Sequence, residues 1–106
     1  MNSIKKMLKW ILVSTNGGEN RYKILSLLIR QPMNAHELSV SLNMSYKTVR
    51  HHLSMLEKHG LISDMGNGYG NIFFSSEFLD DNLSSFNDVV EIYKNNTKKC
   101  RQVEST

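Results

Sequence analysis

The chain has 106 residues, 40% of them hydrophobic and 22% charged, with a formal net charge of +3. These values bound it to one folded domain, residues 1–106, with one modest core, and the lone Cys100 excludes an internal disulfide. No apolar run approaches the roughly 20 residues that span a bilayer. Lys9 interrupts the signal-like N-terminus and no small-x-small cleavage site follows it, so the chain is expected in the cytoplasm.

The first predicted element is an amphipathic helix over 3–14, within an N-terminal segment 1–15. Ile4, Met7, Leu8 and Ile11 follow the i, i+3, i+4, i+7 rule, with Lys5, Lys6 and Lys9 off that stripe. Asn16-Gly17-Gly18 breaks it. A second helix is expected from 19 to 30, with Ile24, Leu25, Leu28 and Ile29 inward. Gln31-Pro32 ends it, because the residue before proline avoids helical geometry and proline offers no N–H.

The stretch from Asn34 to Leu61 organises the rest. Asn34 and Glu37 stand at the spacing of a capping box. Asn43 tolerates the left-handed conformation that ends a helix. Ser45 then caps a helix over 46–59, stopped by Gly60. At about 100° per residue, Val49, Leu53 and Leu56 make one apolar stripe. Lys47, His51, Ser54 and Lys58 fall almost opposite, flanked by Thr48 and Arg50. A short capped helix, a brief turn and a second helix with a basic, hydroxyl-bearing outer face suit insertion into a DNA major groove.

After Gly60 the period changes. Residues 61–64 and 71–75 read as two strands around the turn-rich 65–70, a β-hairpin with a flexible tip. Two strands directly after a helix-turn-helix make a winged helix. The tip holds no Lys or Arg, so Asn67, Tyr69, Asn71 and backbone amides are its means of touching phosphates. From the cap Ser76 a last helix is expected to about residue 96, within a C-terminal segment 77–100. Leu79, Leu83, Phe86, Val90 and Tyr93 alternate as a heptad seam along it. Residues 97–106 are polar and expected to fray.

Charge is unevenly placed along these elements. Residues 1–60 hold nine Lys or Arg against three acids, whereas 61–106 hold four against seven. A basic part that carries the helical pair suits a polyanionic partner. Soft-metal sites need several converging Cys or His ligands. Four histidines, His36, His51, His52 and His59, and the lone Cys100 are at hand, with His52 and His59 about 10 Å apart along one helix by its rise. No metal and no cofactor are expected. His52, flanking the apolar stripe, is expected to pack with one nitrogen toward phosphate. No phosphate loop, nucleophile elbow or Cys/His pair indicates an enzyme.

The string Ser45-x-x-Thr48-Val49-Arg50-x-His52-Leu53-x-x-Leu56-Glu57-x-x-Gly60-Leu61-Ile62 resembles the recognition-helix signature of ArsR-type winged helix-turn-helix transcriptional regulators, which many archaeal regulators also carry. The resemblance covers residues 18–76. It implies a mainly α fold with a small β-hairpin, and a homodimer with the recognition helix in the major groove. It also implies terminal helices that form the dimer interface, and it separates ArsR-like from MarR-like members poorly. Metal-sensing members carry a Cys-x-Cys pair or an Asp-x-His set. Here the corresponding stretch is His36-Glu37-Leu38-Ser39-Val40 and the last helix lacks histidine, so metal sensing is not implied.

The expected function is that of a sequence-specific double-stranded-DNA-binding regulator reading an inverted repeat. Ser45, Tyr46, Lys47, Thr48, Arg50, His51 and Lys58 would contact DNA, with Asn67 and Tyr69 from the wing. Ile4, Leu8, Ile11, Leu79, Leu83, Phe86, Val90 and Tyr93 would form the dimer interface, because a small core should cover one apolar stripe but hardly both. The alternative is a winged helix used as a protein-interaction or assembly module. Such modules put apolar or acidic residues where this chain has Lys47, Arg50 and Lys58.

Overall fold

A computed structural model describes residues 3–14, 17–66, 71–92 and 94. Helix α1, Ser3–Lys9, continues into a π-helical turn, Trp10–Ser14. That turn differs from the single α-helix expected over 3–14. A π turn changes the helical phase by inserting a residue, and Leu12 joins Ile4, Leu8 and Ile11 in the core, at 1% exposure. Helix α2, Gly18–Arg30, starts from Gly17 at φ +85° and buries Ile24, Leu25 and Leu28. Its predicted stop holds: Gln31 is extended just before Pro32.

Strand β1, Met33–Asn34, was not predicted. It pairs antiparallel with β3, Ile72–Ser75, which also pairs with β2, Ile62–Met65. The expected hairpin is therefore two strands of a three-stranded sheet ordered β1-β3-β2. A two-residue strand has no readable period, and Asn34 carries a stronger signal as a helix cap. That signal is correct. Ahead of α3, Ala35–Leu42, Asn34 Oδ1 accepts the Glu37 amide at 2.7 Å and Glu37 Oε1 accepts the Asn34 amide at 2.9 Å. Asn43 ends α3 in the left-handed region at φ 54°. Helix α4 follows as Tyr46–Lys58, with Gly60 at φ +76° beyond it.

The C-terminal part is not one helix. Ser76 caps a single turn, α5, Glu77–Asp80, and residues 83–92 form a separate helix, α6. Asn82 makes the break, donating from Nδ2 to the Phe78 carbonyl while its own carbonyl accepts the Phe86 amide. The heptad seam breaks with it. Val89 is buried beside Phe86 and Val90, an i, i+3, i+4 face typical of a globular helix, and Leu83 is only partly buried. Tyr93 and residues 95–106 lie outside the described residues, as does the wing tip 67–70.

The apolar stripes of the terminal helices are covered within one chain. Ile4, Leu8, Ile11, Leu79, Phe86 and Val90 all belong to the single core and are at most 8% exposed. Lys5 Nζ lies 2.9 Å from Asp88 Oδ2, an ion pair that joins α1 to α6. The premise that a small core cannot cover both stripes is not met, and these six side chains are not left for a second copy to bury. Among the described residues no helix is long and apolar enough to cross a membrane.

Candidate nucleic-acid interface

Helix α4 owes its orientation to its buried face. Val49, Leu53 and Leu56 are at most 1% exposed, and together with Leu38 of α3 they hold the two helices of the motif in one core. Facing away, Tyr46, Lys47, His51, Ser54 and Lys58 are exposed. Tyr46 keeps 54% of its surface, at the end of the helix that leads into a groove in helix-turn-helix proteins.

The two hydroxyls at this end are already committed in part. Ser45 Oγ accepts the Thr48 amide at 3.1 Å and donates to Thr48 Oγ1 at 2.8 Å. Thr48 is half-buried, and its own O–H is left to reach outward. At the other end His59 Nδ1 sits 3.0 Å from the Met55 carbonyl, and its ring lies 5.7 Å from that of Trp10. His59 thus serves the C-terminus of α4.

Arg50 is exposed but sits at the junction with the wing. Its guanidinium carbon lies 5.9 Å from the centroid of Phe73 in β3. The Glu57 carboxyl is raised above its ordinary range, chiefly by a hydrogen bond with Asp64, then by burial and the charge of Asp64, and Arg50 pulls the other way. Asp64 also accepts from Asn71 Nδ2. Arg50 is therefore brought to the wing strands as well as to the outer face, whereas Lys47, His51 and Lys58 are brought together on that face alone. Asn67 and Tyr69 lie outside the described residues.

His52 packs inward as expected, and it does so against a cation. It is 6% exposed, with Nδ1 3.5 Å from Arg21 Nη1 and the Cε1–Nε2 edge of the ring against Gly17. Its Nδ1 is turned toward Arg21 inside the fold. Burial, then the Arg21 charge, then His51 hold its pKa below the ordinary imidazole value. The partner, Arg21, was missed. Its signal was present, since Arg21, Ile24, Leu25 and Leu28 repeat the i, i+3, i+4, i+7 stripe and put a cation on the inward face.

Residues 18–64 match the family model described as "Bacterial regulatory protein, arsR family". A comparison with curated proteins finds no match. Among solved structures, reduced HlyU from Vibrio cholerae superposes with a TM-score of 0.61 at 19% identity, covering 88% of this chain and 90% of that one. The adhesin competence repressor AdcR from Streptococcus pyogenes gives 0.60 at 16% identity, over 94% and 77%. An ArsR-like transcriptional regulator from Rhodococcus sp. RHA1 gives 0.56 at 18%, over 96% and 89%. These likenesses show the winged helix-turn-helix fold, and within it residues 18–64, which hold both helices of the motif, are similar to the ArsR-family bacterial regulatory proteins.

Proposed function

We propose that this protein is a homodimeric, sequence-specific transcriptional regulator that reads an inverted repeat with α4 in the major groove. The observation that carries this reading is the division of α4. Val49, Leu53 and Leu56 are locked into the core while Tyr46, Lys47, His51 and Lys58 stand free on the opposite side of a capped helix-turn-helix. Lys47 and His51 reach phosphates or base edges near the start of the helix, Lys58 a phosphate further along, and Arg50 the groove on the wing side. Ser45 and Thr48 position the first turn, and Asn67 and Tyr69 supply neutral contacts from the wing. A two-fold pair of such units sets the recognition helices about one DNA turn, roughly 34 Å, apart. Regulation in this reading does not run through a transition metal, because the ligand sets that metal-sensing relatives carry are missing from this sequence.

The test is selection of bound duplexes from a random pool, followed by fluorescence anisotropy at two salt concentrations. The expected result is an enriched palindrome whose affinity falls steeply with salt, since each phosphate-bound cation releases counterions. Affinity that is the same with chelator and with added zinc is expected as well. A pool that yields no enriched sequence would overturn the reading.

A further inference from the structure

A cation in an apolar core needs partners, and Arg21, 3% exposed, finds them on two other elements. Its Nε donates to the Ile11 carbonyl at 2.9 Å, a group that belongs to the π turn. Its Nη1 approaches His52 Nδ1, on the inward face of α4, at 3.5 Å. Gly17 stands beside the pair. A Cβ there would stand 2.9 Å from His52 Cε1 and 3.2 Å from Arg21 Nη1, so only glycine leaves room for the pair. A guanidinium has donors only. The imidazole nitrogen that faces it must accept, which places the His52 proton on Nε2.

The apolar stripe of α4 sets which face turns inward but, because apolar burial is non-directional, it cannot fix the roll of that face to within a few degrees. A hydrogen bond between His52 and a guanidinium anchored to another element can. We propose that Arg21 is a positioning residue for DNA binding: through neutral His52 it sets the roll of α4, and with it the aim of Lys47 and His51, relative to the N-terminal π turn. The inference rests on the DNA-binding reading above. Protonation of His52 removes the acceptor and sets a second cation against Arg21, so the anchored arrangement belongs to the neutral ring. Among the described residues, the charged or titratable groups that bear on His52 are Arg21 from α2 and His51 from α4 itself. Gly17 presents backbone there.

The experiment compares wild type with His52→Gln, which keeps an acceptor that never protonates, and with Arg21→Met. Each is titrated by anisotropy at pH 7.5 and 5.5, at constant ionic strength, with a labelled duplex enriched from the random pool. Circular dichroism on the same samples reports the fold. Between pH 7.5 and 5.5 wild type should lose roughly tenfold in affinity relative to His52→Gln, the scale of an ordinary coupling between sites. Folded Arg21→Met should be weaker at pH 7.5. Nitrogen-15 spectra of the wild-type histidine rings should show His52 protonated on Nε2 at pH 7.5. Should Arg21→Met not fold, the glutamine comparison and the tautomer decide. Matching pH profiles for wild type and His52→Gln, or a proton on Nδ1, would overturn the inference while leaving the DNA-binding reading intact. A wild type that retains no duplex removes both.

Discussion

At the scale of single residues, the outer face of α4 divides into side chains with one role and one with two. Lys47 projects from the exposed side of the first turn and has nothing to do in the core. Lys47→Ala should leave thermal stability unchanged and reduce the salt dependence of DNA binding by about one counterion. Arg50 also lies over Phe73 and near Glu57, so Arg50→Ala should cost both DNA affinity and a little stability. Paired with a guanine, it is worth ~1–3 kcal/mol in discrimination. If Lys47→Ala combined with Arg50→Ala binds the selected duplex like wild type, the assignment of this face fails. The neighbouring carboxyls offer a pH test with a definite sign. Because Glu57 is raised in the folded state, the folded protein holds its proton in the range between the ordinary glutamate value, 4.5, and the raised one. Stability contributed by this group is full below that range and is lost as pH rises through it. Glu57→Gln should therefore raise the urea midpoint at pH 7.5 and change it little at pH 4.

At the scale of elements, what was legible in the sequence was whatever a few neighbouring residues decide. Asn34 and Glu37 announce the start of α3, Ser45 that of α4, and Pro32 the end of α2, because caps and breakers act within one helical turn. Asn34→Ala should remove one arm of the capping box and cost ~1 kcal/mol, read as a lower urea midpoint with an unchanged slope. The apolar face of α4 was legible for the same reason. What was not legible depends on distant partners. Strand β1 exists because Met33 and Asn34 find Phe73 and Ile72 about 40 residues away. The break between α5 and α6 turns on one asparagine whose side chain could equally have faced water. The π turn is held against the start of α2, where a Cβ on Gly18 would stand 2.4 Å from the Leu12 carbonyl oxygen. Backbone at that distance cannot yield as a side chain would. Gly18→Ala should cost ~1–3 kcal/mol, the usual scale for overpacking a close contact, although alanine is the better helix former. A thermal midpoint equal to wild type would mean that the π turn is not pressed on α2 as described.

At the scale of the whole molecule, the position of the terminal helices changes how dimerisation must be tested. The apolar stripes of the two terminal segments suggest two surfaces in search of a second copy, but periodicity reveals that a face is buried and not what buries it. In the folded chain Phe86 is 5% exposed and belongs to the same core as Ile4 and Leu8. Phe86→Asp would set a carboxylate among apolar neighbours at a cost of several kcal/mol. It should lower the thermal midpoint of the protein at every concentration, which says nothing about dimers. A dimer contact has to come from what a single chain leaves uncovered. In the terminal segments that includes Trp10 at 46% exposure, Phe78 at 46% and Ile92 at 39%. Large apolar groups that stay exposed in one chain are candidates for burial between two. In the proposed homodimer, Phe78→Asp and Ile92→Asp should leave the fold and its thermal midpoint at low concentration intact. Light scattering after size exclusion should show the dimer weakened toward monomer. Affinity for the selected palindrome should fall while binding to an isolated half-site is kept, since only the linkage between two recognition helices is lost. A wild-type protein that elutes as a monomer at tens of micromolar and still binds the palindrome with full affinity would sink the homodimer.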